Sequence, residues 1–310
     1  MEFKHVTVLR REMISAVLTD KNGVYADCTL GGAGHLSLLS EKVENGALLI
    51  GIDQDLDALK AAELRMKDCT CNLNFVHSNF SNIKNILSEK KLNKINGFIF
   101  DLGVSSYQLD EANRGFSYMH EGRLDMRMNQ NSELTAHDVV NKYSEEKIAF
   151  IIKEYGEERW AKRIAEFIVD YRKNKIIETT GELVSIIKAA IPLGARKNGP
   201  HPAKRTFQAI RIEVNNELGI IESTINDCVD CLVSGGRIGI ITFHSLEDRI
   251  VKRTFKNLAK QCICPPEFPL CVCNHQRKIK LLGNGIRPTD EEIAENPRAR
   301  SAILRVAEKI

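Results

Sequence analysis

Three glycines and three carboxylates carry most of the chemical information in this chain. Gly31, Gly32 and Gly34 lie together. Without side chains they let a ligand approach the backbone closely. Asp53 follows about 20 residues on, the separation at which a carboxylate meets ribose hydroxyls beside a glycine turn. A tight turn alone would account for the glycines; glycines and Asp53 together point to a nucleotide. The cluster does not fit G-x-G-x-x-G, because Ser37 takes the last glycine position counted from Gly32. Asp27 stands just before the cluster. A carboxylate repels a pyrophosphate and attracts a sulfonium or an ammonium, which shifts the choice from NAD to S-adenosylmethionine. The third carboxylate, Asp101, ends a later apolar run.

Such residues need a scaffold that brings them together, and the chain has the pattern of one. A β-rich stretch over 24–30 runs into the glycines, and 35–43 is helical. The apolar run Ala47-Leu-Leu-Ile-Gly-Ile52 ends at Asp53 and reads as a strand buried on both faces. Residues 55–66 have helical spacing through Leu56, Leu59 and Leu64. Strands are expected over 73–76 and 97–100, the second ending at Asp101. This alternation predicts a parallel sheet covered by helices, and such sheets bind ligands at their carboxyl ends. From 106 to about 188 the pattern is helical, with helices over 145–155, 157–173 and 180–190. One long helix is expected over 207–233. Gly235-Gly236 turns into a strand over 237–243, and 278–282 and 301–307 are further strands. The expectation is an α/β sheet domain over 1–105 and 199–310, with an inserted all-helical substrate-recognition domain over 106–198.

Composition is that of an ordinary globular chain: 310 residues, 43 % apolar and 27 % charged. The net charge of +3 comes from 44 basic and 41 acidic residues. It is too small to argue for a polyanionic partner, so charge must be read locally. No apolar run approaches the ~20 residues of a membrane helix, and the first residues lack the apolar stretch and cleavage site of a secretory signal. No membrane partner and a cytoplasmic location are therefore expected. The nine cysteines are then thiols or metal ligands rather than disulfides.

Longer motifs identify a family. They are His5-Val-Thr-Val-Leu9 with Glu12, Asp27-Cys-Thr-Leu-Gly-Gly-Ala-Gly-His35, Asp53-Gln-Asp55, Ser78-Asn-Phe80, Phe100-Asp-Leu-Gly-Val-Ser-Ser106 and Gln108-Leu-Asp110. Arg114-Gly-Phe-Ser117, Leu124-Asp-Met-Arg127, His201-Pro-Ala-Lys-Arg205, Phe207-Gln-Ala-Ile-Arg211, Ile241-Thr-Phe-His-Ser-Leu-Glu-Asp248 and Arg298-Ala-Arg-Ser-Ala302 complete the set. From His5 to its C-terminus the chain resembles the ribosomal RNA small subunit methyltransferase H family, the 16S rRNA cytosine-N4 methyltransferases. The resemblance implies a class I, Rossmann-like methyltransferase fold with an inserted helical domain and S-adenosylmethionine as cofactor. It implies as target the N4 amine of a cytidine in the decoding region of 16S rRNA, within the small ribosomal subunit. The family's cofactor motif falls here on Ala33, Gly34, His35, Asp53, Phe80, Asp101 and Gln108. In that setting Asp101 is a cofactor contact before it is a catalyst, and backbone carbonyls of Leu102 to Val104 are alternative proton acceptors. Phe80 suits adenine stacking or core packing. Gly103-Val104 stand where typical DNA amino-methyltransferases have an aromatic residue, so Phe116 and Tyr118 are considered for the substrate base, with core packing as the alternative.

Two further clusters stand out. Arg196, Lys197, Lys204, Arg205 and Arg211 occupy a stretch without acids, on a loop leading into a helix. Such a stretch suits RNA phosphates, against a solvated surface as the plain alternative. Arg114, Arg123 and Arg127 form a weaker group. Cys262, Cys264, Cys271 and Cys273, with His275 beside them, could hold a structural Zn²⁺. The C-x-C spacing departs from the usual C-x₂-C, and unligated loop thiols are the alternative. Cys228 and Cys231, spaced i,i+3 in a helix, read as a buried face.

Overall fold

The computed structural model describes residues 7–196, 199–262, 264, 268, 270, 272–273 and 275–310. The chain divides into two compact units, Met1–Gly103 with Leu218–Ile310, and Val104–Glu217.

The first unit is built on a seven-stranded sheet. Its strands are β1 (Val24–Asp27), β2 (Leu48–Asp53), β3 (Asn72–His77), β4 (Ile95–Asp101), β5 (Leu232–Thr242), β6 (Ile279–Ile286) and β7 (Ile303–Lys309). Their order is β3-β2-β1-β4-β5-β7-β6. The first five are parallel, and β7 runs antiparallel between β5 and β6. Successive residues alternate between the two faces, and each face has its own core. Ile50, Phe98, Phe100 and Ile240 pack on one side, with Val229 and Phe255 from the covering helices. Leu49, Ile99 and Ile241 pack on the other, with Met13, Leu36 and Leu304. Burial on both faces is why the strands read as continuous apolar runs.

The chain order reverses between β1 and β4: β2 and β3 extend to one side, β5 to the other. At that switch point the loops leaving β1 and β4 diverge and leave a crevice at the carboxyl edge. A short helix, Arg10–Val17, covers the sheet from one side. Its Met13 Sδ would lie 2.5 Å from a Cβ on Gly239 of β5. The strand is apolar and glycine-interrupted because this helix lies directly on its backbone.

The helical unit has its own core. Helices Ala136–Lys142, Glu145–Gly156, Ala161–Arg172, Thr180–Ala190 and Lys204–Asn215 bury Val139, Ile152, Ile164, Ile187, Phe207 and Ile210 together. Thr135 with Asp138, and Thr179 with Glu182, form capping boxes that start two of these helices.

Two expectations change here. The helix expected over 207–233 is two helices, Lys204–Asn215 and Ile221–Cys231. Asn216 adopts the left-handed conformation (φ 49°, ψ 39°) and stops the first. The compact helical unit therefore runs over 104–217, not 106–198. Helix Lys204–Asn215 places Phe207 and Ile210 in the helical core, so the boundary follows that apolar face. Cys228 and Cys231 lie buried on the inward face of Ile221–Cys231.

Candidate active site

The turn after β1 is the centre of the site. Cys28 N–H donates to the Ile99 carbonyl, and Leu30 N–H to the Ile52 carbonyl, so the turn is stitched to both neighbouring strands. Gly31 sits at φ 49°, a region that costs an L-residue strain. Its N–H donates to Asp53 Oδ2 at 2.8 Å. Ala33 also takes a left-handed conformation, φ 57°, although it has a side chain and is buried. Such strain marks a backbone held in place for a purpose. Helix Gly34–Ser40 starts immediately after it.

Each carboxylate ends a strand. Asp53 Oδ1 accepts from Asp55 N–H at 2.9 Å, so both its oxygens already hold the local backbone. Burial pushes Asp53 up to about 6, moderated by the Asp55 and Gly31 amides. Asp27 is buried and lifted to about 7 by burial, with the Asp53 charge adding. Asp101 N–H donates to Thr29 Oγ1 at 2.6 Å, tying β4 to the turn after β1. Asp101 Oδ1 is buried and has no hydrogen-bond partner among the described residues. Burial raises Asp101 to about 8, and the charges of Asp27 and Glu247 add to it. His35 Nε2 lies 3.1 Å from the Val8 carbonyl, and its Nδ1 is 3.9 Å from Asp101 Oδ2. The site is therefore a pocket of crowded, under-compensated negative charge, and a cationic group would relieve it.

The end of β5 adds two residues that the sequence reading left without a role. Glu247 is buried and accepts from Phe243 N–H at 2.9 Å and His244 N–H at 3.3 Å. Its Oε1 lies 3.1 Å from His244 Nε2, and the two side chains form a capping box at the start of helix Ser245–Leu258. The signal was present: Ile241–Asp248 belongs to the family motifs, and it follows a parallel strand at its carboxyl end.

Phe80 begins the turn after β3 and meets Phe100 edge-to-face, centroids 5.6 Å apart. It is half-buried, so it packs on the core and still offers surface. Gln108 belongs to the helical unit. It is buried, and its Oε1 accepts from Ser105 N–H at 3.1 Å in a capping box. Phe116 is buried in the helical core. Tyr118 stacks on His201, centroids 4.7 Å apart.

The basic residues separate into exposed and inward-facing groups. Lys204 and Arg205 are exposed at the start of helix Lys204–Asn215. Arg196 ends the short helix Leu193–Arg196, and Lys197 lies outside the described residues. Arg211 is largely buried and pairs with Glu217 at 2.8 Å. Arg114 donates to the carbonyls of Arg127 and Met128. Arg127 pairs with Asp125 and donates to the Ser132 carbonyl. These three hold the helical unit together, because its loops leave carbonyls and carboxylates that only long donors reach. Arg123 is exposed and bridges to Thr179.

Of the cysteine cluster, Cys262, Cys264 and Cys273 lie together, and Cys271 is outside the described residues. His275 Nε2 lies 3.0 Å from the Asn257 carbonyl.

Compared with known proteins, the chain matches the MraW methylase family over residues 2–310. It is 57 % identical over 311 residues to ribosomal RNA small subunit methyltransferase H of Clostridioides difficile (strain 630), covering all of both chains. It is 54 % identical over 313 residues to the protein of that name from Ruminiclostridium cellulolyticum, again covering all of both. Among solved structures it is similar to an rRNA methylase from Streptococcus thermophilus, with 11 % identity, a TM-score of 0.43, and coverage of 97 % of this chain and 93 % of that one. That likeness is too distant to add to the sequence match. The sheet order at the switch point is the Rossmann-like one expected of a class I methyltransferase, and with a match along nearly its whole length the chain belongs to the MraW methylase family.

Proposed function

We propose that this protein transfers the methyl group of S-adenosylmethionine to the N4 amine of a cytidine in the decoding region of 16S rRNA, acting in the cytoplasm on the small ribosomal subunit. One feature of the site carries the reading. Asp101 Oδ1 is a buried oxygen without a donor among the described residues, at the sheet's switch point, among acids that favour a cation. The identity of the acceptor rests on the full-length relatives, which are named as small subunit rRNA methyltransferases.

The residues fit the cofactor. Asp101 would take the ammonium of its methionine part, the turn at Ala33 and Gly34 its carboxylate, and Asp53 its ribose. Phe80 would face its adenine, and His35, held by the Val8 carbonyl, would fix the orientation of Asp101. Bound there, S-adenosylmethionine supplies a methyl group already activated by its sulfonium.

The chain's own task is orientation, which can account for ~7–11 kcal/mol of a barrier. The cytosine N4 lone pair is delocalised into its ring, so an acceptor for an N4–H draws the nitrogen toward tetrahedral geometry. N4 contributes the electron pair to the new C–N bond as the methyl–sulfur bond breaks and its pair passes to sulfur, which leaves as a neutral thioether; N4 then releases one proton. Candidates for that acceptor are the His244 ring, whose Nε2 lies 3.1 Å from Glu247 Oε1, and the backbone carbonyls of Leu102 to Val104. Asp101 is thereby committed to the cofactor rather than to the proton. Lys204 and Arg205 serve as phosphate contacts. Gln108, the third residue of helix Ser106–Asp110, holds the Ser105 cap and so shapes the loop beside the cofactor's methionine end.

The test is transfer of labelled methyl from S-adenosylmethionine to small subunits lacking the modification, followed by nucleoside analysis. N4-methylated cytidine at one position is the expected product. No incorporation, or label on ring carbon or ribose, overturns the reading.

A further inference from the structure

Between helix Ser245–Leu258 and β6 the described residues bury little. The large apolar side chains Phe268, Leu270 and Val272 are 52 %, 77 % and 67 % exposed. The base of this stretch is closed by Lys278 N–H donating to the Leu258 carbonyl at 2.8 Å and by the His275–Asn257 contact. What gathers its described residues is sulfur. The Sγ atoms of Cys262, Cys264 and Cys273 all lie within 4.8 Å of one another.

The spacing excludes a disulfide between Cys262 and Cys273 and suits a shared metal. Cys262 Sγ and Cys273 Sγ are 3.8 Å apart, whereas a disulfide needs about 2.05 Å. A tetrahedral zinc with bonds of about 2.3 Å to sulfur sets its ligand sulfurs roughly 3.8 Å apart. The surrounding amides favour the anionic form. Cys264 N–H points to Cys262 Sγ at 3.4 Å, and Val272 N–H to Cys264 Sγ at 3.4 Å. Backbone donors aimed at sulfur stabilise thiolate charge and orient the ligand.

We infer that Cys262, Cys264 and Cys273 bind one Zn²⁺ as thiolates, fixing the stretch over 259–278. Binding converts the three thiols to thiolates and releases their protons to solvent, with no change of oxidation state. The site does not depend on the methyl-transfer reading, since it uses none of that chemistry. Metal here supplies the ordering energy that an apolar core supplies elsewhere.

The test uses the full chain purified without chelator, with metal content measured by mass spectrometry. About one zinc per chain is expected for the wild type, and less than about a tenth for Cys262→Ser, Cys264→Ser and Cys273→Ser, because serine cannot provide the soft anionic ligand. Cys69→Ser, outside the cluster, keeps its zinc. Wild-type protein that holds less than about a tenth of an equivalent, even after zinc addition and desalting, overturns the inference. Should the serine variants be insoluble, Co²⁺ titration of chelator-stripped wild type decides it. Thiolate-to-cobalt charge-transfer and tetrahedral d–d bands saturating at one equivalent support the site; a purely octahedral spectrum refutes it.

Discussion

Replacing Asp101 by Asn should weaken cofactor binding and stabilise the empty protein at the same time. The side chain keeps its shape and loses its charge. Its Oδ1 has no donor among the described residues, so in the bound state the cofactor's ammonium is the partner it gains. Hydrogen bonds to charged groups contribute about 1.5–3 kcal/mol, so Kd for S-adenosylmethionine should rise about 10- to 150-fold. Stability should move the other way. Burial, with Asp27 and Glu247 beside it, raises Asp101 from an ordinary 3.8 to about 8. Between those values the folded empty protein keeps a proton that the unfolded chain has lost. This group's contribution to stability is therefore fully present below pH 3.8 and is lost as pH rises through about 8. Asn removes that loss, so empty Asp101→Asn should melt above wild type at pH 8 and show no such advantage at pH 4. Cofactor binding should also become tighter with rising pH, by up to about tenfold per unit below pH 8, because binding a cation needs the ionised carboxylate. That part of the slope should vanish in the variant. Calorimetric titration gives Kd and scanning calorimetry gives Tm. An unchanged Kd, or a variant that melts below wild type at pH 8, refutes the assignment.

Other consequences are simpler. Gly239→Ala should destabilise by about 1–3 kcal/mol through overpacking against Met13 of helix Arg10–Val17, read as a lower denaturation midpoint with unchanged m; an unaffected midpoint would mean that the helix does not lie on β5. Lys204→Ala with Arg205→Ala should weaken small-subunit binding and reduce its logarithmic salt slope by roughly 1.4–1.8, two phosphate contacts' worth. Arg211→Ala, which breaks a largely buried pair with Glu217, should cost on the order of 3 kcal/mol of stability and leave the salt slope unchanged. A salt slope that falls in Arg211→Ala and not in the double variant would reverse that division.

The crowding of acids explains why these two effects oppose each other. Asp27, Asp53 and Asp101 all rise through burial, and backbone donors offset this for Asp53 and Asp27 but not for Asp101. The residue best suited to receive a cation is the one the empty fold compensates least. Such a site costs stability until its ligand arrives.

Much of this was legible in the sequence, because local patterns encode local outcomes. The strands lie close to where apolar runs and alternation place them, although β5 already begins at Leu232, within the expected long helix, and β6 runs on to Ile286. Gly31, Asp53 and Asp101 stand at strand ends because a parallel sheet puts its ligand edge there. The family motifs settled which class of cofactor and acceptor to expect. What the sequence could not fix depended on partners distant along the chain. The charge on Arg211 looks like that on Lys204 until Glu217 is found beside it. The Phe207 helix ends at Asn216 because a left-handed residue fits there, and its apolar face assigns it to the helical unit. His244 and Glu247 became candidates when β5 was seen beside β4, across a helical unit of more than a hundred residues. The same holds for the glycines and Asp27, which alone indicated only a nucleotide with a positive end. Folding decided that three carboxylates share one buried edge, and that the one left without a donor is Asp101. Residue type and spacing set which groups can act; burial and the absence of a hydrogen-bond partner, which only tertiary packing creates, set what each is poised to bind.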